Sequence, residues 1–239
     1  IVEYPTFTEL TEKLIKYIKY SIYKGNVNDQ QKVGGYLSMW KNPSSSTSFT
    51  NQPNSNKKED NNIHPKGIII AGADGSGRAT LIKHSSEQLN LQFIIIDADK
   101  FTSTQLTYPE LTQKIPKKSV VLLRNFDSIL NDEGNNQNSF QMRIVSHLTN
   151  LIDESDEVFF AMTVISREFV PSQLLSAKRL SFSLTFPPLS MSDITSILPS
   201  SFSQLAIDCA TCGLPARDLI NARKTGLESD LLDSAFSET

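Results

Sequence analysis

An apolar segment that leads directly into a glycine-rich loop occupies residues 67–77. The run GIIIA (67–71) is rich in β-branched residues, which is typical of a strand buried in a parallel sheet. The following residues, GADGSGRATL (72–81), carry glycines at the spacing of the phosphate loop GxxxxGK[ST]. Backbone N–H groups of such a loop surround an anion at the positive end of the next helix. The sequence therefore predicts a phosphate-binding site formed by Gly72, Ala73, Asp74, Gly75, Ser76, Gly77, Arg78, Ala79 and Thr80.

Four more apolar runs alternate with helical patterns along the chain. They lie at residues 93–97, 119–123, 158–164 and 180–186, and we interpret the first of them as a buried strand like the others. Helices are predicted at 78–90 and 139–153, the second with Met142, Val145, Leu148 and Ile152 facing inward. This alternation predicts an α/β fold with a five-stranded parallel sheet flanked by helices.

The flanking sequence predicts three further parts. An amphipathic helix at 6–24 belongs to an N-terminal linker segment (1–41). The Asn/Ser-rich stretch at 42–63 has almost no apolar residues, so we expect a flexible insertion there. After Pro187 the pattern becomes helical, at 190–198, 201–212 and 215–224. We therefore assign residues 64–188 to an α/β subdomain and residues 189–239 to a small α-helical subdomain.

The phosphate loop departs from its pattern at two positions. Arg78 replaces the lysine and offers a planar guanidinium in place of a compact ammonium. Ala79 replaces the Ser or Thr whose hydroxyl would hold Mg²⁺. Thr80 comes one residue later, which turns it about 100° farther around the helix. We therefore expect altered phosphate binding and a weakly held or absent metal.

The apolar run at 119–123 ends without the acidic residues that phosphate-loop ATPases place there. Arg124 and Asn125 stand where the Walker B motif has an aspartate that steadies Mg²⁺ and a glutamate that activates water. We interpret Asp127 as a polar residue of the loop after the strand, in preference to a general base that has moved from the Walker B position. The sequence therefore predicts no catalytic residue and negligible ATP hydrolysis in this domain.

Charge and composition exclude several other classes of protein. The net charge of −3 and the pI of about 5.7 provide no basic field for nucleic acid. No apolar run approaches the roughly 20 residues of a transmembrane helix. Cys209 and Cys212 have no second ligand pair, so no metal site is predicted.

Residues 67–225 resemble one AAA+ ATPase module, and several motifs occur in the family's order. GLPARDL (213–219) is similar to the family's lid motif, with Arg217 at an alanine position. LLSAKRL (174–180) resembles the segment that carries two arginine fingers, of which Ser176 replaces the first. The resemblance implies that Arg179 is a candidate arginine acting in trans on a neighbouring subunit. It also implies a sensor-1 position near Ser166 and an α-helical lid formed by the small subdomain.

The run VVLLRNFDSIL (120–130), followed by an Asn-rich loop, resembles the first ATPase domain of the peroxin-6 family of fungal peroxisomal AAA ATPases. This resemblance implies a ring-forming scaffold domain, with ATP as a structural ligand, in a hexameric double-ring unfoldase. The implied partners are peroxin-1-like subunits, a peroxisomal membrane anchor protein and a ubiquitinated import receptor, on the cytoplasmic side of the peroxisomal membrane. An active second domain is expected beyond residue 239. The pore loop is expected at 101–108, with Phe101 and Tyr108 as candidates.

Two other classes of function stay open at this point. One is an ATP-binding subunit of another remodelling complex, either an unfoldase or a clamp-loader-like protein, and the acidic pI disfavours the DNA-binding version. The other is a weakly active ATPase or phosphate-loop kinase with unusual metal ligands. That reading needs a carboxylate where Arg124 stands.

Overall fold

The computed structural model describes residues 2–23, 65–98, 115–130, 138–198, 200, 202–211 and 213–226. Several sequence-based expectations lie outside these ranges. They are the Asn/Ser-rich insertion at 42–63, the pore loop with Phe101 and Tyr108, and Cys212. The side chain of Cys209 is likewise outside what is described.

Among the described residues, five parallel strands form one sheet. They are β1 (Gly67–Ala71), β2 (Gln92–Asp97), β3 (Ser119–Arg124), β4 (Val158–Val164) and β5 (Phe182–Thr185). Their order across the sheet is β2-β3-β4-β1-β5, and every neighbouring pair is parallel. The predicted five-stranded parallel sheet is confirmed. Because β1 lies between β4 and β5 while the chain continues to β2 at the far edge, the carboxyl end of β1 opens at a switch point where ligands bind.

The described helices cover both faces of this sheet. The α-helices are α1 (Pro5–Ile22), α2 (Arg78–Gln88), α3 (Asp127–Leu130), α4 (Asn138–Glu154), α5 (Met191–Ile197), α6 (Gln204–Thr211) and α7 (Ala216–Thr225), and a 3₁₀ turn spans Arg167–Phe169. Side chains alternate along a strand, so β1 contributes to two separate cores. Ile68 and Ile70 pack with α1, α2 and the helices α5–α7, whereas Ile69 and Ala71 pack with α4.

Two expectations about burial are wrong. Met142 is 70% exposed, because the buried face of α4 is formed by Ile144, Leu148, Leu151 and Ile152. The strand β2 is only partly buried, and its Ile95 is 48% exposed. In the described sheet β2 is an edge strand that pairs with β3 alone, so it lacks the cover that central strands receive.

One buried carboxylate joins α1 to α5. Asp193 accepts hydrogen bonds from the backbone nitrogen of Thr6 (2.9 Å) and from Thr6 Oγ1 (2.7 Å). It also accepts from Ser190, with which it forms a capping box at the start of α5. Burial alone raises the pKa of Asp193, but the hydrogen bonds from Thr6 and Ser190 outweigh it and hold the pKa below its usual value. The N-terminal helix is thereby fixed to the helices that follow the sheet.

Within the described residues, no helix combines the length and the apolar character that a bilayer span requires.

Candidate functional site

The glycine-rich loop follows β1 and leads directly into α2. Gly75 (φ 74°) and Gly77 (φ 98°) adopt left-handed backbone conformations that side chains disfavour, and Gly77 precedes the first turn of α2. The backbone nitrogen of Ser76 donates to the Ala73 carbonyl at 3.3 Å, which closes the turn. The Ser76 hydroxyl is buried and has no hydrogen-bond partner among the described residues. The loop therefore has the curvature of a phosphate loop and an unsatisfied polar atom within it.

The start of α7 lies directly on this loop. The backbone nitrogen of Arg217 donates to the Gly75 carbonyl at 3.0 Å, and its guanidinium lies 3.3 Å from Asp74 Oδ2. A methyl group added to Gly75 would come 3.1 Å from Pro215 Cβ and 3.3 Å from Arg217 Cβ. Gly75 is thus required both for its dihedral angles and for the close approach of α7.

Arg78 sends its side chain to the carboxyl edge of the sheet. Its Nη1 donates to the carbonyl of Val164, the last residue of β4, and this oxygen also accepts from the Gly72 nitrogen at 3.1 Å. Nη2 lies 3.8 Å from Asp74, and the side chain is only 12% exposed. Burial lowers the pKa of Arg78, which the charges of Asp127 and Asp74 partly oppose. An arginine titrates so far above neutral pH that it stays charged here.

The two residues after Arg78 provide no buried metal ligand. Ala79 has only a methyl group at the position of the metal-binding hydroxyl. Thr80 also lines the cleft that adjoins the loop, but it is exposed. A lone hydroxyl open to solvent is a weak ligand for Mg²⁺, which keeps several waters unless carboxylates or phosphates hold it.

The end of β3 carries an ion pair instead of an acidic pair. Nε of Arg124 donates to Oδ2 of Asp97 at 2.8 Å, across the ends of β3 and β2. Asn125 adopts a left-handed conformation (φ 61°), which asparagine tolerates better than most residues. Asp127 begins α3 and accepts a hydrogen bond from the Ile165 nitrogen at 3.2 Å. This contact gives Asp127 a structural role at the end of β4.

These elements enclose a cleft of about 680 Å³. Its phosphate-loop and strand-end residues were all named from the sequence: Asp74, Gly75, Gly77, Arg78, Ala79, Thr80, Arg124 and Asn125. A second, smaller cavity of about 250 Å³ adjoins the loop at Ala73 and Ser76 and is walled by Tyr4, the segment 186–189 and the start of α7. The loop therefore stands between a charged cleft and a largely apolar cavity.

Of the sequence-predicted site residues, Gly72, Ala73 and Ser76 of the loop do not line this cleft, and Ser166 and Arg179 lie apart from it. Ser166 starts the 3₁₀ turn and accepts from the Glu168 nitrogen at 3.4 Å, whereas Thr163, within β4, is the β4 residue that lines the cleft in the described structure. Arg179 lies at the amino end of β1, where its carbonyl accepts from the Gly67 nitrogen. Its guanidinium is held by both carboxylate oxygens of Asp153, at 2.8 and 2.6 Å. Arg179 is thus a full strand away from the phosphate loop of its own chain.

The sequence did not identify the cleft residues that come from distant parts of the chain. Val2, Tyr4 and Phe7 reach the cleft from the N-terminal segment, and the Tyr4 hydroxyl lies 3.4 Å from the Ser76 carbonyl. Arg217, Ile220, Asn221 and Lys224 reach it from α7. The lid motif around Arg217 was the available signal for the second group. For the first group, the apolar face of α1 indicated only burial.

The residues of this site fit a nucleoside polyphosphate but do not fit Mg²⁺. The glycine dihedrals, the unsatisfied Ser76 hydroxyl and the cations lining the cleft are suited to a phosphate chain. The positions that would hold magnesium carry a methyl group and a guanidinium. Among the described residues, no group of three or more His, Cys, Asp or Glu side chains could hold a metal ion.

One comparison with known proteins bears on this geometry. The family model described as ATPase family associated with various cellular activities (AAA) matches residues 68–188, which is about half of the chain. No curated protein matches the sequence. The family match covers β1 to β5 together with the loop, and it agrees with the sheet described above. The α/β fold with a phosphate loop and five parallel strands, predicted as AAA+, is therefore confirmed. The assignment of α5–α7 as a lid and the domain boundaries remain predictions.

Proposed function

The chain belongs to the AAA family of ATPases. We propose that it is an ATP-binding AAA+ module that does not hydrolyse ATP and that serves as a scaffold within a ring. The nucleotide's phosphates bind at the loop 72–80, and its base lies toward the apolar cavity beside Tyr4. ATP acts as a structural ligand that ties the loop to α7. Mg²⁺ is held weakly or not at all.

The observation that carries the proposal is the ion pair at the end of β3. Hydrolysis by a phosphate-loop ATPase depends on a metal held beside the γ-phosphate and on a positioned water. Arg124, paired with Asp97, supplies a cation where the metal carboxylate is needed. Asn125 supplies an amide, which has no basicity, where the water-activating carboxylate is needed. With Ala79 also lacking a hydroxyl, three contributions to the same step are absent together.

The scaffold role is supported by the position of Arg179. A finger arginine acts on the nucleotide of a neighbouring subunit, so it must lie away from its own phosphate loop. Arg179 does so, at the opposite end of β1. Its bidentate pair with Asp153 holds the guanidinium in a defined place, and it is 21% exposed. Such an arginine can complete an active site that its own chain lacks.

The resemblance of VVLLRNFDSIL (120–130) to the peroxin-6 family extends this proposal to a biological setting. In that setting the module forms part of a heterohexameric double ring with peroxin-1-like subunits. The ring is recruited by an anchor protein to the cytoplasmic face of the peroxisomal membrane and extracts a ubiquitinated import receptor. Electron microscopy of the full-length protein mixed with candidate partner subunits tests this, since the proposal requires six-membered rings.

Phosphate release from ATP tests the absence of turnover. We expect the wild-type chain to release phosphate more slowly than about 0.001 per second, the scale of phosphate-loop sites that lack a catalytic group. The matched variant restores the four altered positions with Arg78→Lys, Ala79→Thr, Arg124→Asp and Asn125→Glu, and it should bind ATP more tightly with Mg²⁺ than without. Steady phosphate release by the wild-type chain, abolished by Arg78→Ala, would show that the proposal is wrong.

A further inference from the structure

Four cationic side chains line the large cleft. Arg78 comes from the start of α2 and Arg124 from the end of β3, while Arg217 and Lys224 come from α7. Arg217, Asn221 and Lys224 are spaced at four and then three residues, so α7 presents them on one face. Among the described residues that line the cleft, Asp74 is the acidic one, and its side chain is 82% exposed. The cleft lining therefore holds four cations and one carboxylate, although the chain as a whole is acidic, and Asp97 and Asp218 outside the lining pair with Arg124 and Arg217.

The cations stand where a phosphate-loop protein normally places its metal. In such proteins the metal is held by the loop hydroxyl and by the carboxylate at the end of the Walker B strand, next to the phosphate oxygens. Here Ala79 occupies the first position and Arg124 the second, and both line the same cleft as Arg78. A divalent cation in this space is repelled by the guanidinium groups, because they are also positively charged. A phosphate chain meets donors of the kind that recognise it, because guanidinium groups bind phosphate oxygens with directed hydrogen bonds.

Acceptors at the edge of the cleft hold three of these cations in place. Arg124 is bound to Asp97, and Arg78 is bound to the Val164 carbonyl. Arg217 contacts both Asp74 (3.3 Å) and Asp218 (3.2 Å). These contacts offset the repulsion between neighbouring cations and fix them before any ligand arrives. The cluster is therefore preorganised for an anion and needs no metal to complete it.

We propose that this cleft takes a nucleoside polyphosphate in its metal-free form, with the guanidinium groups of Arg78 and Arg124 in the place of magnesium. This inference rests on the proposed function, in which ATP binds and Mg²⁺ is held weakly or not at all, and it adds that the site selects the metal-free form of the nucleotide. A nucleotide without magnesium carries more negative charge than its magnesium complex, so a fixed cationic cluster attracts it more strongly. Magnesium then competes with the protein for the phosphate oxygens, and adding the metal weakens binding.

Isothermal titration of the 239-residue chain with ATP, in EDTA and in excess Mg²⁺ at equal ionic strength, tests the inference. We expect the Kd in EDTA to be lower by about threefold or more. Inorganic tripolyphosphate should show the same preference for EDTA, because the selected group is the phosphate chain. Equal Kd values in the two buffers would overturn the inference and leave the proposed function intact. Binding that needs Mg²⁺ would overturn the inference and also the weak hold on Mg²⁺ proposed above, while nucleotide binding itself would stand. Absence of binding in both buffers would overturn the proposed function itself.

Variants at one position assign the effect to the cluster. Arg124→Gln should raise the Kd for ATP in EDTA about tenfold, which corresponds to the loss of one charged contact. Arg124→Lys keeps the charge and should raise it less. Lys16→Gln removes the same charge from the exposed face of α1 and should change the Kd less than about twofold. Thermal unfolding of each variant reports whether it folds, and equal effects of Arg124→Gln and Lys16→Gln in folded proteins would contradict the inference.

Discussion

Nε of Arg124 lies 2.8 Å from Oδ2 of Asp97, which joins the carboxyl ends of two neighbouring strands, β3 and β2. The two partners differ in burial, because the Asp97 side chain is 11% exposed and the Arg124 side chain 46% exposed. The carboxylate is therefore the partner that depends on the contact. A cation at the end of β3 stabilises the strand edge as well as changing the chemistry of the cleft.

Arg124→Gln should consequently destabilise the fold as well as weaken ATP binding. Removing the guanidinium leaves the nearly buried Asp97 without this charged partner, and we expect a loss of about 1–2 kcal/mol in the free energy of unfolding. Urea denaturation followed by circular dichroism measures it. Lys13→Gln is the control, because it breaks an exposed pair with Glu9 in α1 and should cost less than about 0.5 kcal/mol. Equal losses in the two variants would show that Asp97 does not depend on Arg124.

Arg179→Gln should leave the chain's own ATP affinity unchanged. The guanidinium of Arg179 lies at the amino end of β1 and is bound to Asp153, away from the loop that follows the strand's other end. Arg78→Gln removes a cation from the cleft itself and should raise the Kd about tenfold or more. Calorimetric titration of both variants with ATP in EDTA makes the comparison. A similar loss of affinity in both would contradict the assignment of Arg179 to a neighbouring subunit's site.

The parts of the fold that local rules govern could be predicted from the sequence. The bounds of β1 and β4 were predicted to the residue, since a β-branched apolar run allows little else. The positive φ angles of Gly75 and Gly77 follow from the loop pattern itself. The prediction that Met142 faces inward was wrong because helical spacing allows two overlapping apolar faces on α4. Only the packing against the sheet selects the face with Ile144.

The parts of the site that depend on docking could not be predicted. Arg217 reaches Asp74 across 143 positions of sequence, and nothing in the loop indicates which helix will cover it. Tyr4 approaches Ser76 from an N-terminal segment that the sequence defined only as amphipathic. The pairing of Arg124 with Asp97 requires knowing that β2 and β3 are neighbours in register. Each of these contacts depends on the tertiary arrangement. The substitutions at the end of β3, Arg124 and Asn125, could by contrast be identified from the sequence alone.

Tyr4 should ionise far later than an ordinary tyrosine. Burial, with a further contribution from the charge of Asp193, raises its pKa from 10.0 to about 12. Because the unfolded chain ionises near pH 10, the stability that Tyr4 contributes is complete below that pH and is lost as the pH rises toward 12. Tyrosinate absorbance should show a late phase that Tyr4→Phe reduces, and part of the phase should persist because burial also raises the pKa of Tyr17. The wild type should also lose more stability than Tyr4→Phe between pH 10 and 12, and parallel losses would contradict the assigned environment.

Asp193→Asn should destabilise the chain in a pH-dependent way. The carboxylate is fully buried and accepts hydrogen bonds from Thr6 and Ser190, so at pH 7 we expect a loss of about 1–3 kcal/mol in the free energy of unfolding. An amide cannot accept all of these bonds, because one of its two polar atoms is a donor. The loss should be local to the first turn of α1, since Thr6 is the residue of α1 that Asp193 holds and the apolar face of the helix stays packed in the core.

The pH dependence follows from the direction of the pKa shift. The pKa of Asp193 in the folded chain lies below its usual value of 3.8, so the unfolded chain takes up the proton first as the pH falls. The stability contributed by the carboxylate is therefore complete above about pH 4 and is lost as the pH falls through the lowered pKa. Urea denaturation at a series of pH values should show the wild type and Asp193→Asn converging below pH 4. Asp156→Asn changes an exposed aspartate and should match the wild type throughout. A difference between wild type and Asp193→Asn that stays constant down to pH 3 would mean that the side chain acts through its shape and not through its charge.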